Sequence, residues 1–201
     1  MQVTWAMEGD EPRDTLSRSW SVFMRRALPS VSWVPIPNLG VVEALGFLET
    51  YELGGIIFTG GGHLGQDSLR DETELALLDA AIKLELPAFG VNRGLLLMQT
   101  RFKGGIVPLS GHMKEEHSVH LSKLPFYKHA FRQVTVNSYH TAGIERLAPG
   151  LLPFAVDPKG HVEGAYHDKH RLAGVLWSPE TTGGHEEFDA GLLSTFFQSE
   201  K

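Results

Sequence analysis

Apolar residues in the first half of the chain fall into two kinds of run. Gly54 to Phe58 and Pro87 to Val91 are short and almost continuously apolar, which reads as strands buried on both faces. Between and around them the apolar positions are spaced by three and four. Leu16, Trp20, Phe23, Met24 and Ala27 predict a helix over 13–28, with Asp14 placed for the dipole at its start. Val41 to Thr50 predicts a short helix. Leu75, Leu78, Ala81 and Ile82 stripe another, opened at Asp71 with Glu74 three residues on, close to a capping box, and running to about Leu84. Gln2 to Met7 and Val31 to Ile36, the latter closed by Pro35 and Pro37, complete the expected strands of this half. Strand and helix in alternation predict an α/β chain whose parallel sheet is covered on both faces and binds ligands at the carboxyl ends of its strands.

In the second half the pattern weakens. From Arg101 to Leu124 the glycines at 104, 105 and 111 and Pro108 suggest loops or a small hairpin. Strands are expected at 131–136, 154–157, 162–166 and 172–177, and a last helix from Glu187 to Gln198. His112, His117 and His120 lie within nine residues and invite a metal reading. Against it stand the lack of an H-E-x-x-H pattern, of cysteine, and of a carboxylate at a ligand spacing, so neither a metal nor a cofactor is expected.

Composition narrows this only slightly. A chain of 201 residues is expected to be one domain over 1–201, and 42% hydrophobic with 21% charged residues is ordinary globular composition. With a net charge of -6 and no basic run, neither nucleic acid nor an anionic membrane is an expected partner. The start lacks a basic segment and an apolar signal core, and no run approaches the ~20 apolar residues of a membrane span, so a cytoplasmic location is expected. The count that matters most is zero cysteines.

The informative stretch is Leu86 to Met98. An apolar run, one polar residue at Asn92, a glycine at 94 and then a helix-like block describe a nucleophile elbow, the sharp strand-to-helix turn that holds one side chain above the end of a sheet. Phe89-Gly-Val-Asn-Arg-Gly94 resembles the G-x-C-R-G elbow of class I glutamine amidotransferases and γ-glutamyl hydrolases, with asparagine in place of cysteine. Thr59-Gly-Gly-Gly62, Val136-Asn-Ser-Tyr-His140 and Trp177-Ser-Pro-Glu180 follow the same family's order. Glu11 to Trp20 is similar to the opening of the γ-glutamyl-CDP-amidate hydrolases of capsule biosynthesis.

The resemblance implies a three-layer α/β/α sandwich with a central, mostly parallel, flavodoxin-like sheet. It also implies a Cys-His-Glu triad in which a thiolate attacks a γ-glutamyl amide. Carried onto this chain, the nucleophile position is Asn92, the base position Ser178 and the orienting carboxylate Glu180; only the last keeps the family's residue. Gly60, Gly61 and Arg93 fall where backbone N–H groups line an oxyanion hole, and Asn137, Ser138, Tyr139 and His140 where the pocket wall lies. Leu96 replaces a glutamine that contacts substrate. A carboxamide cannot replace a thiolate, nor a serine an imidazole base, and Ser178 as a new nucleophile with His140 as its base is the lesser alternative.

Three functions remain in view. The favoured one is a degenerate relative that binds a small γ-glutamyl or carboxylate ligand, or a protein partner, without hydrolysis. The others are an enzyme with altered machinery acting on a related amide in surface-polysaccharide synthesis, and a non-catalytic subunit docked on a synthetase or on its own copy.

Overall fold

The structure is a computed structural model that describes residues 1, 3–8 and 11–198. In chain order the elements are a hairpin of β1 (Thr4–Glu8) and β2 (Glu11–Thr15), then α1 (Arg18–Ala27), α2 (Val41–Thr50), β3 (Ile56–Phe58), α3 (Ser68–Lys83), β4 (Ala88–Val91) and α4 (Arg93–Arg101). There follow β5 (Gly105–Pro108), β6 (Met113–Leu121), β7 (Gln133–Tyr139), β8 (Ala142–Arg146), β9 (Leu151–Val156), β10 (Val162–His167), β11 (Leu172–Val175) and α5 (Glu186–Gln198).

Seven strands form the main sheet in the order β3-β4-β11-β10-β9-β6-β7. The three strands around β4 show why it has two covered faces. Ile57, Phe89, Val91, Ala173 and Val175 enter one apolar cluster, and their neighbours Ile56, Phe58, Ala88 and Leu172 enter another. That period of two is the signature of strands buried on both sides. Helix α1 supplies Trp20, Phe23 and Met24 to the first cluster, and α5 supplies Phe188, Leu192, Leu193 and Phe196. Helices α2, α3 and α4 fill the second through Ala44, Leu48, Leu77, Leu78, Leu97 and Met98. Burial of each large apolar side chain contributes roughly 1.5–3 kcal/mol, so the two clusters hold the layers together.

The three-layer α/β/α fold is as expected, and the sheet is mixed. Its parallel part is β3-β4-β11; the four pairings from β11 to β7 are antiparallel, so the expectation of a mostly parallel sheet holds only for the part around the elbow. Other differences are local. The first helix begins at Arg18, capped by Ser17, because residues 11–15 pair with β1. Asp14 therefore leaves the helix dipole and instead accepts from the Asn38 backbone N–H at 2.8 Å. The expected strand over 31–36 is reduced to one bridge at Ile36, since Pro35 and Pro37 lack the N–H a ladder needs. Helix α3 starts at Ser68, three residues before Asp71, because the Asp67 side chain accepts from Leu69 and Arg70. Residues 113–121, read as loop or hairpin, are instead the nine-residue strand β6. The expected first strand over 2–7 lies partly outside the described residues; β1 takes up its residues from Thr4 on and runs one further, to Glu8.

Candidate functional site

The elbow forms as the sequence pattern requires. Asn92 follows β4 with φ 54°, ψ -109°, and its backbone N–H donates to Val175 O at 2.7 Å, tying the tip to the end of β11. Asparagine tolerates this positive φ better than most side chains. The glycines on either side are needed for close approach: a Cβ on Gly90 would lie 2.5 Å from the Gly94 carbonyl carbon, and one on Gly94 would lie 2.4 Å from Phe58 O. Strand and helix thus pack backbone to backbone, and the tip is lifted clear.

Beside the tip lies the glycine turn. A Cβ on Gly60 would touch the Asn92 Cβ at 3.2 Å. Arg70, fully buried, donates to Thr59 O (3.2 Å), Gly60 O (3.1 Å) and Gly61 O (2.6 Å). In a planar trans peptide the N–H points opposite to the C=O. The N–H groups of Gly60, Gly61 and Gly62 are therefore turned away from Arg70, an arrangement suited to receiving an anion. Arg70 also pairs with Glu74 at 2.9 Å, and the Arg93 guanidinium reaches Glu74 and Asp71. Burial lowers both arginines to about 10, so they keep their charge at neutral pH. This four-residue network locks α3, the glycine turn and the elbow together.

Ser178 lies just beyond β11, at the edge where the elbow stands. Its backbone N–H donates to Asn137 Oδ1 at 2.9 Å, and Asn137 Nδ2 donates back to Ser178 O (2.9 Å) and on to Gly183 O (2.7 Å). Glu180 Oε2 is buried with no hydrogen-bond partner, and burial raises the carboxyl to about 7. Asp189, which accepts from Trp177 Nε1 at 2.8 Å, is likewise raised by burial to about 7. At neutral pH the Glu180 carboxyl is therefore about half in its neutral form.

A cleft of about 450 Å³ opens above the tip, lined among others by Gly61, Asn92, Arg93, Leu96, Tyr139 and His140. Five expected residues thus share it with Asn92. Gly60, Asn137, Ser138, Ser178 and Glu180 are outside its lining and act behind it. The tip side chain is engaged across the cleft: Asn92 Nδ2 donates to Tyr139 O at 3.2 Å.

Behind His140 is a group that sequence reading did not assemble. His112, His117 and His140 come from in and around β6 and β7, and face Glu163 of β10, which is fully buried. Glu163 is 3.5 Å from His112 Nε2, 3.4 Å from His140 Nε2 and 3.9 Å from His117 Nε2. Burial lowers the His117 pKa, against the pull of Glu163. Asp157, bonded to His161 Nδ1 at 2.9 Å, borders the group. His120, the third histidine of the sequence run, is exposed and takes no part. Arg70 and Glu74 were also missed as a pair, although their i, i+4 spacing was visible. Nothing in the linear spacing signalled Glu163.

No helix among the described residues is long and apolar enough to cross a membrane. The Peptidase C26 family profile matches residues 51–180. Protein NtpR of Enterococcus hirae is 34% identical over 147 residues, covering 64% of this chain and 62% of that protein, so the chain spans about three fifths of its length. The gamma-glutamyl-CDP-amidate hydrolase of Campylobacter jejuni is 23% identical, covering 87% of this chain and 84% of that protein. Among solved structures, a candidate GMP synthase component from Thermoplasma acidophilum superposes with a TM-score of 0.75 at 16% identity, over 90% of this chain and 85% of that one. A glutamine amidotransferase from Methylobacillus flagellatus superposes at 0.63 and 14% identity, over 83% of this chain and 68% of that one. With the elbow, the glycine turn and the matched span in agreement, the chain belongs to the Peptidase C26 family of glutamine amidotransferase-like proteins.

Proposed function

We propose that this protein is a ligand-binding member of its family that does not hydrolyse γ-glutamyl amides by the thiolate mechanism. The observation that carries the reading is the tip itself. Asn92 occupies the nucleophile position with its carboxamide donating to Tyr139 O, and Ser178 occupies the base position with its backbone clamped by Asn137. The donors of the glycine turn and the Arg93 backbone N–H remain, so a carboxylate or γ-glutamyl group of a small molecule fits the cleft. Leu96 replaces a polar substrate contact with an apolar wall, which favours a ligand other than glutamine itself. A protein partner, either a synthetase or a second copy, fits the same reading of a site that holds without reacting.

The test is ammonia release from glutamine by the purified protein, with glutamate binding followed by calorimetry. The expected result is no turnover above background. Asn92→Cys with Ser178→His restores weak glutaminase activity, and adding Leu96→Gln raises it, while neither single triad change suffices. Turnover in the wild type that survives Asn92→Ala overturns the reading and assigns the chemistry to other groups, Ser178 with His140 first. A folded triple variant that neither turns over nor binds glutamate overturns the assignment of the cleft as the ligand site.

A further inference from the structure

The group around Glu163 is the least balanced part of the molecule. Both of its carboxylate oxygens are buried without a hydrogen-bond partner, and so are His117 Nε2 and His140 Nε2. Leaving a buried ionised carboxylate unpaired costs several kcal/mol, so a second species must meet it.

The backbone says what kind of species. His140 Nδ1 is 3.1 Å from Ala142 O and His112 Nδ1 is 3.3 Å from Ser110 O. A carbonyl only accepts, so in the neutral rings each Nδ1 carries the hydrogen and each Nε2 presents its lone pair. Those lone pairs point at Glu163, lone pair against lone pair, at 3.5 Å and 3.4 Å. Such an arrangement is repulsive unless a cation sits between. An ion about 2.0–2.1 Å from each ligand in a tetrahedron holds neighbouring ligand atoms about 3.4 Å apart. Hydrogen bonds from the far nitrogen to a backbone carbonyl are also how metal-binding histidines are oriented.

The strands are bent to make the group. In β10 the register with β9 shifts on both sides of Gly164, leaving Glu163 unpaired in that ladder. In β6 the register with β7 shifts between Met113 and Glu115, and Lys114 between them has φ 57°. Two strands therefore carry an irregularity beside their own member of the group, as strands do where a side chain must be re-aimed. His140 N donates to His112 O at 3.0 Å, closing the two strands over it.

We infer that His112, His140 and Glu163 form a zinc site with its fourth position open, His117 Nε2 standing beside it at 3.9 Å from Glu163. Two imidazoles, one carboxylate and an open fourth position match the donor preferences of that ion and its four-coordinate geometry. Asp157 is not a ligand: its oxygens already accept from His161 Nδ1 and from the backbone N–H groups of Lys159 and His161. It lies 3.7 Å from His112 Nε2, a second carboxylate at the border of the group. The ion ties β6, β7 and β10 together behind the His140 wall of the cleft. This inference stands whether or not the cleft binds a carboxylate.

The experiment is metal analysis of the full chain. Wild-type protein stripped with a chelator and shown to be folded by circular dichroism is titrated with zinc and with cobalt(II). The expected result is one equivalent bound, intense visible d–d bands of tetrahedral cobalt displaced by zinc, and a melting temperature that rises with zinc. Glu163→Gln, which keeps the side chain's shape, and His112→Ala lose the bands and the zinc-dependent rise, whereas His120→Ala, at an exposed position of β6, keeps both. If a variant does not fold, the wild-type cobalt spectrum decides by itself. A folded wild type that binds no equivalent of either ion, or Glu163→Gln and His112→Ala variants that bind as wild type does, overturns the site and leaves a shared proton as the species between the rings and Glu163.

Discussion

Two regions of the main sheet differ in how openly the sequence marks them. Around β4 the elbow and its supports are all in place: the tip at φ 54°, the glycine turn held by Arg70, and a buried ion network behind them. The residue at its tip is asparagine. Around β6, β7 and β10 the family motif at residues 136–140 marks only His140 of the group, yet lone pairs and carboxylate oxygens converge there without partners. Local pattern therefore marks the first region, while the second gathers its polar atoms from strands distant in sequence.

The largest test of the contrast removes a member of the ion network. Glu74→Ala leaves two buried guanidinium groups without their shared carboxylate, and such a loss costs about 3–5 kcal/mol. In a chain of this size that lowers the melting temperature by about 6–20 °C, at ~2–4 °C per kcal/mol, read by thermal denaturation. A drop of under ~2 °C would mean that the network is not what fixes the elbow.

Gly94→Ala comes next. The new Cβ would meet Phe58 O, a backbone atom that cannot yield cheaply, and overpacking of this kind costs about 1–3 kcal/mol. The midpoint of urea unfolding should fall, and an unchanged midpoint would show that α4 can slide on β3.

Glu180 supplies a pH test of similar or smaller size. Its folded carboxyl, raised from 4.5 to about 7, binds a proton more tightly than the unfolded one. Stability is therefore greatest below about pH 4.5 with respect to this group and is lost as pH rises through about 7. Glu180→Gln should remove part of that fall, of order 1–3 kcal/mol, in melts taken from about pH 4 to about pH 8. Asp189, raised in the same sense, adds to the slope in both proteins. An identical pH slope in the variant would mean that Glu180 is solvated after all.

The smallest effect is at the tip. Asn92→Val places a β-branched residue at positive φ and should cost roughly 1–2 kcal/mol, while Asn92→Gly should be near neutral. Equal stability of the two variants would show that the turn relaxes.

The elbow was legible because every signal for it is local: apolar run, polar tip, glycine, apolar helix. The covered parallel strands were legible for the same reason. Strand β6 was not, because of its nine residues Val119 is the only fully buried one, and its ladder partners are distant in sequence. The hairpin of β1 and β2 was hidden because Leu16 sits at helical spacing before Trp20 and drew the helix start back to Arg13. Glu163 looked like one polar position in a short strand. Which face it would take depended on irregularities at Gly164 that no period of two foretells.

Asn137 has a consequence for motion. By holding Ser178 at both its backbone atoms and reaching Gly183, one strand side chain makes the loop after β11 part of the sheet's own cooperative unit. The Ser178 amide should then exchange its hydrogen on the schedule of β7, orders of magnitude slower than a surface loop, because it is freed only when the strand itself opens.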